Sequence, residues 1–125
     1  MKQTRNPIHV DLSMLKKDTL GNTEVMSKLI VLFLKSIDEF TSNLKIFWPS
    51  NEYDTLYSAA HKIKPIIPMF GVTSLSNELI EFEALLKNNG DKERINAIVE
   101  KCFIVLAQVK LELENELTPE PHEKH

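Results

Sequence analysis

The chain of 125 residues has one cysteine, three glycines and only 7% aromatic residues. A single cysteine, Cys102, cannot form a disulfide within the chain, and its apolar neighbours predict a buried thiol, which fits a reducing compartment. No apolar run approaches the roughly 18 residues that a membrane-spanning helix needs. The N-terminus also lacks the apolar stretch of a signal peptide. We therefore expect a cytoplasmic protein that does not enter a membrane.

The sequence has no excess of positive charge. Fifteen Lys and Arg residues stand against 18 Asp and Glu residues, which gives a net charge of −3 at pH 7. Proteins that bind nucleic acid usually carry a basic stripe, so we predict no nucleic-acid partner. No glycine-rich phosphate loop, catalytic carboxylate pair or serine or cysteine triad is visible. We therefore predict that the protein is not an enzyme and has no cofactor and no metal site.

The sequence does contain long amphipathic segments, in which apolar residues recur three and four positions apart. Their number and length predict an all-α fold, an antiparallel up-down four-helix bundle with a short extra helix at its N-terminal end. We place this bundle at residues 10–117, between a flexible N-terminus at 1–9 and a disordered tail at 118–125. The inner stripe of the first long helix is predicted to comprise Val25, Leu29, Leu32, Phe33, Phe40, Leu44 and Phe47. We find no polar residue on the inner stripes, which disfavours a bundle that binds a small ligand in its core.

His61 is the histidine with helical periodicity on both sides of it. With Ile63 at the centre of the buried face, a wheel of about 100° per residue places His61 roughly 160° away, so its ring is predicted to be exposed. Lys64 lies one turn further along the helix. A neutral imidazole is a nucleophile, and a lysine offers a mobile positive charge and three hydrogen-bond donors. The pair is a plausible site for a phosphoryl group.

Two prolines, Pro65 and Pro68, follow His61 in the same segment. Neither has an N–H, so neither can bond the carbonyl four residues earlier, which belongs to His61 in one case and to Lys64 in the other. The segment can be one kinked helix, or a helix that ends near Lys64 and restarts at Pro65, a favourable first helical position. Because the apolar spacing continues through the prolines, we favour the kinked, continuous helix.

The stretch from His61 to Gly71 resembles the signature of histidine-containing phosphotransfer (HPt) domains. That signature has a histidine, a free position, an aliphatic residue, a lysine and a glycine, followed by an apolar–glycine pair that ends ten residues after the histidine. The matching positions are His61, Ile63, Lys64, Phe70 and Gly71, and the later Leu75, Leu79, Phe82 and Glu83 resemble the family's next helix. Pro65 departs from the pattern, since the family usually has glycine there.

The resemblance implies a four-helix bundle that acts as a phosphorelay shuttle. Nε2 of His61 would accept a phosphoryl group from an aspartate of a response-regulator receiver domain and pass it to another receiver, while Lys64 would support the phosphoryl oxygens. The implied partners are receiver domains and a hybrid histidine kinase, and the receivers would bring the Mg²⁺. We expect the carrier to be a monomer.

Five residues around His61 form a predicted docking rim: Tyr57, Ser58, Pro65, Pro68 and Met69. Partial burial of this rim under the short N-terminal helix is the other interpretation. We predict a structural role for Gly71, which would end the helix or let a neighbouring segment approach closely. Pro65 also keeps open an alternative function, a helical docking module that binds receiver or kinase domains without being phosphorylated.

Overall fold

The structure, a computed structural model, describes residues 9–117. Over this range the chain forms six helices and no strand, so the fold is all-α as predicted. The helices are α1 (Ser13–Asp18), α2 (Thr23–Phe47), α3 (Tyr53–Ile63), α4 (Ile66–Met69), α5 (Thr73–Lys87) and α6 (Lys92–Leu117). None of them is long and apolar enough to cross a membrane. The predicted disordered tail, and the predicted flexible N-terminus up to residue 8, lie outside the described residues.

Polar side chains stabilise the starts of the two longest helices. At α2, Oδ1 of Asn22 accepts a hydrogen bond from the backbone N–H of Val25 at 3.1 Å. Before α6, Oδ1 of Asp91 accepts from the N–H of Glu93 at 3.0 Å. Backbone donors in the first turn of a helix have no partner within the helix, so these carboxylate and amide oxygens satisfy part of that need.

One continuous apolar core lies between the helices. Helix α2 packs against α3 and α6, and α5 packs against the same two helices. Full burial of a large apolar side chain contributes roughly 1.5–3 kcal/mol, so this core is the main stabilising feature of the fold. Its largest fully buried members include Phe33, Phe70, Phe82, Leu44, Leu56, Leu79, Ile95 and Ile98.

The predicted buried face of α2 is confirmed at Phe33, Phe40 and Leu44 and is wrong at its first turns. Val25 and Leu32 were predicted to face inward, and they are 41% and 59% exposed. Met26, Ile30 and Ile37 lie in the core instead. Apolar residues cover more than half of the circumference of α2, so two stripes fit the sequence. The stripe that packs reaches Phe33 and Phe40 by way of Met26, Ile30 and Ile37.

The prediction of a continuous helix through the prolines is wrong, because α3 ends at Ile63 and α4 begins at Ile66. The intervening Lys64 and Pro65 keep right-handed helical torsion angles, with φ and ψ of −52° and −46° for Lys64 and −71° and −19° for Pro65. The interruption therefore lies in the hydrogen bonding, which the prolines cannot complete. The torsion angles thus stay helical across the position where the helix ends.

A short segment before α1, residues 9–12, crosses the turn after α4, and we call it the N-terminal strap. Val10 and Leu12 of the strap are buried, and the N–H of Asp11 donates to the carbonyl of Phe70 at 3.0 Å. Gly71 has a φ of +71°, and a Cβ there would collide with the backbone of Asp11. Gly71 thus combines the left-handed turn after α4 with the close approach of a neighbouring segment.

Candidate functional site

His61 lies in the last turn of α3, and its side chain is 66% exposed. Its Nδ1 lies 3.2 Å from Oε2 of Glu83, which projects from α5. An ionised carboxylate can only accept a hydrogen bond, so Nδ1 is the protonated nitrogen when the ring is neutral. The lone pair is then on Nε2, the nitrogen that the carboxylate leaves free.

Glu83 is 8% exposed, and it contacts both predicted site residues. Its second oxygen, Oε1, accepts from Nζ of Lys64 at 2.8 Å. A buried carboxylate is costly unless charged or polar donors surround it, and here an imidazole and an ammonium provide them. One glutamate therefore holds the histidine and the lysine in a fixed relation to each other.

The prediction that the inner stripes carry no polar residue is wrong, because Glu83 and Glu112 are both buried. The sequence did contain a signal for the first of them. Glu83 falls four residues after Leu79 and three before Leu86. This spacing places Glu83 on the apolar stripe of α5. A carboxylate at such a position needs a partner, and a search for one would have pointed to the predicted site.

Tyr57, one turn before His61, stacks against the imidazole. The two ring centroids lie 6.0 Å apart and the ring planes differ by 7°. Tyr57 is half-buried, so it offers a supported aromatic wall on one side of the ring. The orientation of His61 is thus set by a hydrogen bond from one direction and by an aromatic contact from another.

The rest of the predicted rim is open to solvent. Ser58, Pro65, Pro68 and Met69 are exposed, and Met69 keeps 44% of its surface accessible. The interpretation that α1 covers this rim does not hold for these four residues. Exposed apolar surface beside a polar site is typical of a place where a partner binds.

The second buried carboxylate, Glu112 of α6, has a different set of donors. Its oxygens accept from the backbone N–H of His9 at 3.1 Å, from that of Val10 at 2.9 Å and from Nε2 of Gln108 at 3.0 Å. The ring of His9 in turn bonds the hydroxyl of Ser74 at 3.0 Å. These bonds attach the N-terminal strap to α6 and α5.

Two further kinds of reactive group in residues 9–117 are metal ligands and the thiol of Cys102. No cluster of three or more His, Cys, Asp and Glu in this range could hold a metal ion. Burial raises the pKa of the Cys102 thiol to about 12, which keeps it protonated and unreactive at neutral pH.

Comparison of the chain with models of protein families, with curated proteins and with solved structures finds no match in any of the three. A functional assignment therefore depends on the geometry around His61.

Proposed function

We propose that this protein is a phosphoryl carrier of the HPt type. In this role His61 accepts a phosphoryl group from a receiver-domain aspartate and passes it to a second receiver. The observation that carries the proposal is the hydrogen bond between Nδ1 of the exposed His61 and the buried Glu83, which leaves the nucleophilic Nε2 available. Lys64, held by the same carboxylate, provides the positive charge that a phosphoryl group requires.

We also infer that α2, α3, α5 and α6 form an antiparallel up-down four-helix bundle. Each of these helices packs against two of the others, which is the neighbour relation of a four-membered ring of helices. The short connections between successive helices favour antiparallel neighbours. This arrangement leaves the exposed His61, between α3 and α5, accessible to an approaching domain.

The proposed transfer is a nucleophilic displacement at phosphorus. The lone pair of Nε2 attacks, the nitrogen–phosphorus bond forms, and the bond to the aspartate oxygen breaks with its electron pair returning to the carboxylate. The phosphorylated ring keeps its proton on Nδ1 and gains positive charge, which the carboxylate of Glu83 stabilises. Mg²⁺ bound to the receiver would screen the charge of the phosphoryl oxygens.

Lys64 can contribute without leaving Glu83. An ammonium has three N–H donors, and the bond of 2.8 Å to Oε1 of Glu83 uses one of them. Its side chain is 34% exposed, so the remaining donors can reach a phosphoryl group on the neighbouring histidine. Glu83 thereby fixes where this positive charge lies.

Intact-protein mass spectrometry tests the proposal directly. The wild-type protein and His61→Gln are incubated with a phosphorylated receiver domain and Mg²⁺. We expect one added phosphoryl group in the wild type only, and we expect brief acid treatment to remove it, since nitrogen–phosphorus bonds are acid-labile. Binding of several receivers without any gain in mass would contradict phosphotransfer and favour the docking module.

A further inference from the structure

Two backbone carbonyls next to the site lack the hydrogen bond that a helix would give them. Four residues after His61 stands Pro65, and four residues after Lys64 stands Pro68. A proline nitrogen carries no hydrogen, so neither carbonyl can be satisfied from that position. Both prolines and His61 are exposed, so this part of the chain lies at the surface where a partner can dock.

The end of α3 attracts positive charge, and the nearby lysines are engaged elsewhere. The last carbonyls of a helix carry the negative end of its dipole, and a basic side chain often caps them. Here Nζ of Lys64 donates to Glu83, and Nζ of Lys62 lies 3.5 Å from Oε1 of Glu39 on α2. The C-terminal end of α3 therefore has acceptors and a favourable field for a cation from another molecule.

We propose that the receiver domain that docks at His61 donates hydrogen bonds from an Arg or Lys side chain to the carbonyls of His61 and Lys64. The aliphatic part of such a side chain would lie along the apolar surface of Pro65, Pro68 and Met69, while its charged end reaches the carbonyls. This inference rests on the proposed function, because it concerns the surface through which the phosphoryl donor approaches. It assigns the two prolines a role in partner selection.

Restoring the missing N–H groups tests this inference. The double variant Pro65→Ala, Pro68→Ala gives each carbonyl a donor within its own chain, and Pro49→Ala, in the loop before α3, is the matched control. Calorimetric titration measures the affinity for a receiver domain activated with beryllofluoride, at low and high salt. Amide hydrogen exchange establishes whether the new N–H groups are protected, and Pro65→Gly with Pro68→Ala replaces the double variant if the latter fails to fold.

We expect the Kd of the double variant to rise about tenfold, which is the scale of one or two hydrogen bonds, and its salt dependence to weaken. The Pro49→Ala control should keep the wild-type Kd. An unchanged Kd, with the new amides protected from exchange, would overturn the inference while phosphoryl transfer to His61 stood. Binding that is sensitive to the prolines, without any transfer, would instead contradict the proposed function and support the inference. A failure of every receiver to bind would contradict both.

Discussion

Glu83 and Glu112 are buried to the same extent, but they bind different kinds of hydrogen-bond donor. They are 8% and 7% exposed, and both lie on the inner side of a long helix. Glu83 accepts from an imidazole and an ammonium, which can change charge or take a second partner. The groups that donate to Glu112 include two backbone N–H groups and a side-chain amide, and these three donors do not change charge. Burial of a carboxylate thus says little about its role, and the chemical nature of its donors says much more.

Among variants of the residues around Glu83, we expect the largest effect on phosphoryl acceptance from a substitution of His61. His61→Gln removes the proposed nucleophile, so we expect phosphoryl acceptance to be lost completely. Because the ring is exposed, the free energy of unfolding should change by no more than about 0.5 kcal/mol. Mass spectrometry and urea unfolding of the same preparation measure the two quantities. A variant that still gains an acid-labile phosphoryl group would place the acceptor elsewhere.

Glu112→Ala should cause a large loss of stability and leave the proposed chemistry unaffected. The change leaves the N–H groups of His9 and Val10 without their acceptor, and each such loss costs about 1–3 kcal/mol. We expect the free energy of unfolding to fall by roughly 3 kcal/mol, while His61 is still phosphorylated. Glu116→Ala, at an exposed position of the same helix, is the control and should unfold like the wild type. Equal losses in both variants would remove the structural role assigned to Glu112.

Gly71→Ala tests the other attachment of the N-terminal strap. The added Cβ would collide with the backbone of Asp11, and the alanine would have to adopt a positive φ. We therefore expect the free energy of unfolding to fall by roughly 3 kcal/mol. Gly21 has a similar φ of +75°, with no atom within 4 Å of an added Cβ. Gly21→Ala should therefore cost only about 1 kcal/mol. Thermal or urea unfolding of both variants separates the effect of the collision with Asp11, which only Gly71→Ala has, from the backbone strain that both share. Equal losses of stability would mean that the close approach of Asp11 is unimportant.

Glu83→Gln should slow phosphoryl transfer and leave docking intact. The amide can still bond Nδ1, but it lacks the negative charge that we propose stabilises the phosphorylated ring. We expect the transfer rate at saturating receiver to fall about tenfold to hundredfold, as when a residue that orients a reacting group is neutralised. Receiver affinity, measured by titration, should stay unchanged. A change in affinity with a normal transfer rate would assign Glu83 to docking instead.

The smallest effect concerns Asp11, an exposed carboxylate of the N-terminal strap. Hydrogen bonds from the hydroxyl and the backbone N–H of Ser13 lower the pKa of Asp11 below its usual value of 3.8. A carboxyl group whose pKa is lowered by folding stabilises the folded state at pH values above its usual pKa. This contribution is lost as the pH falls through the pKa of the folded state. Asp11→Ala should therefore be slightly less stable than the wild type at pH 7. Urea unfolding should show that the difference in stability between the variant and the wild type shrinks at acidic pH. A difference that persists at acidic pH would exclude the hydrogen bonds to Ser13 as its cause.

Periodicity within a helix accounts for what could be predicted, and contacts between helices account for what could not. The exposure of His61 and the all-α fold follow from residue spacing alone. The bond between His61 and Glu83 joins two helices, and spacing along one helix does not say which residue of another lies opposite it. On α2 the apolar residues are so numerous that Val25 and Met26 were equally good candidates for the core. The continuous apolar spacing around Pro65 was misleading, because the backbone keeps helical torsion angles where the hydrogen bonding stops.

The attachment of the strap to Glu112 has a consequence for how this sequence can vary during evolution. Glu112 binds backbone N–H groups, which every amino acid except proline possesses. Substitutions at position 9 can therefore accumulate without breaking that contact, and proline is the one residue that this contact excludes. Glu83 binds two particular side chains, so a change in either one is a change in the contact itself. Among natural variants, we expect His61 and Lys64 to change together with Glu83, whereas a change of residue 9 should cost only the side-chain bond to Ser74 and keep the contact with Glu112.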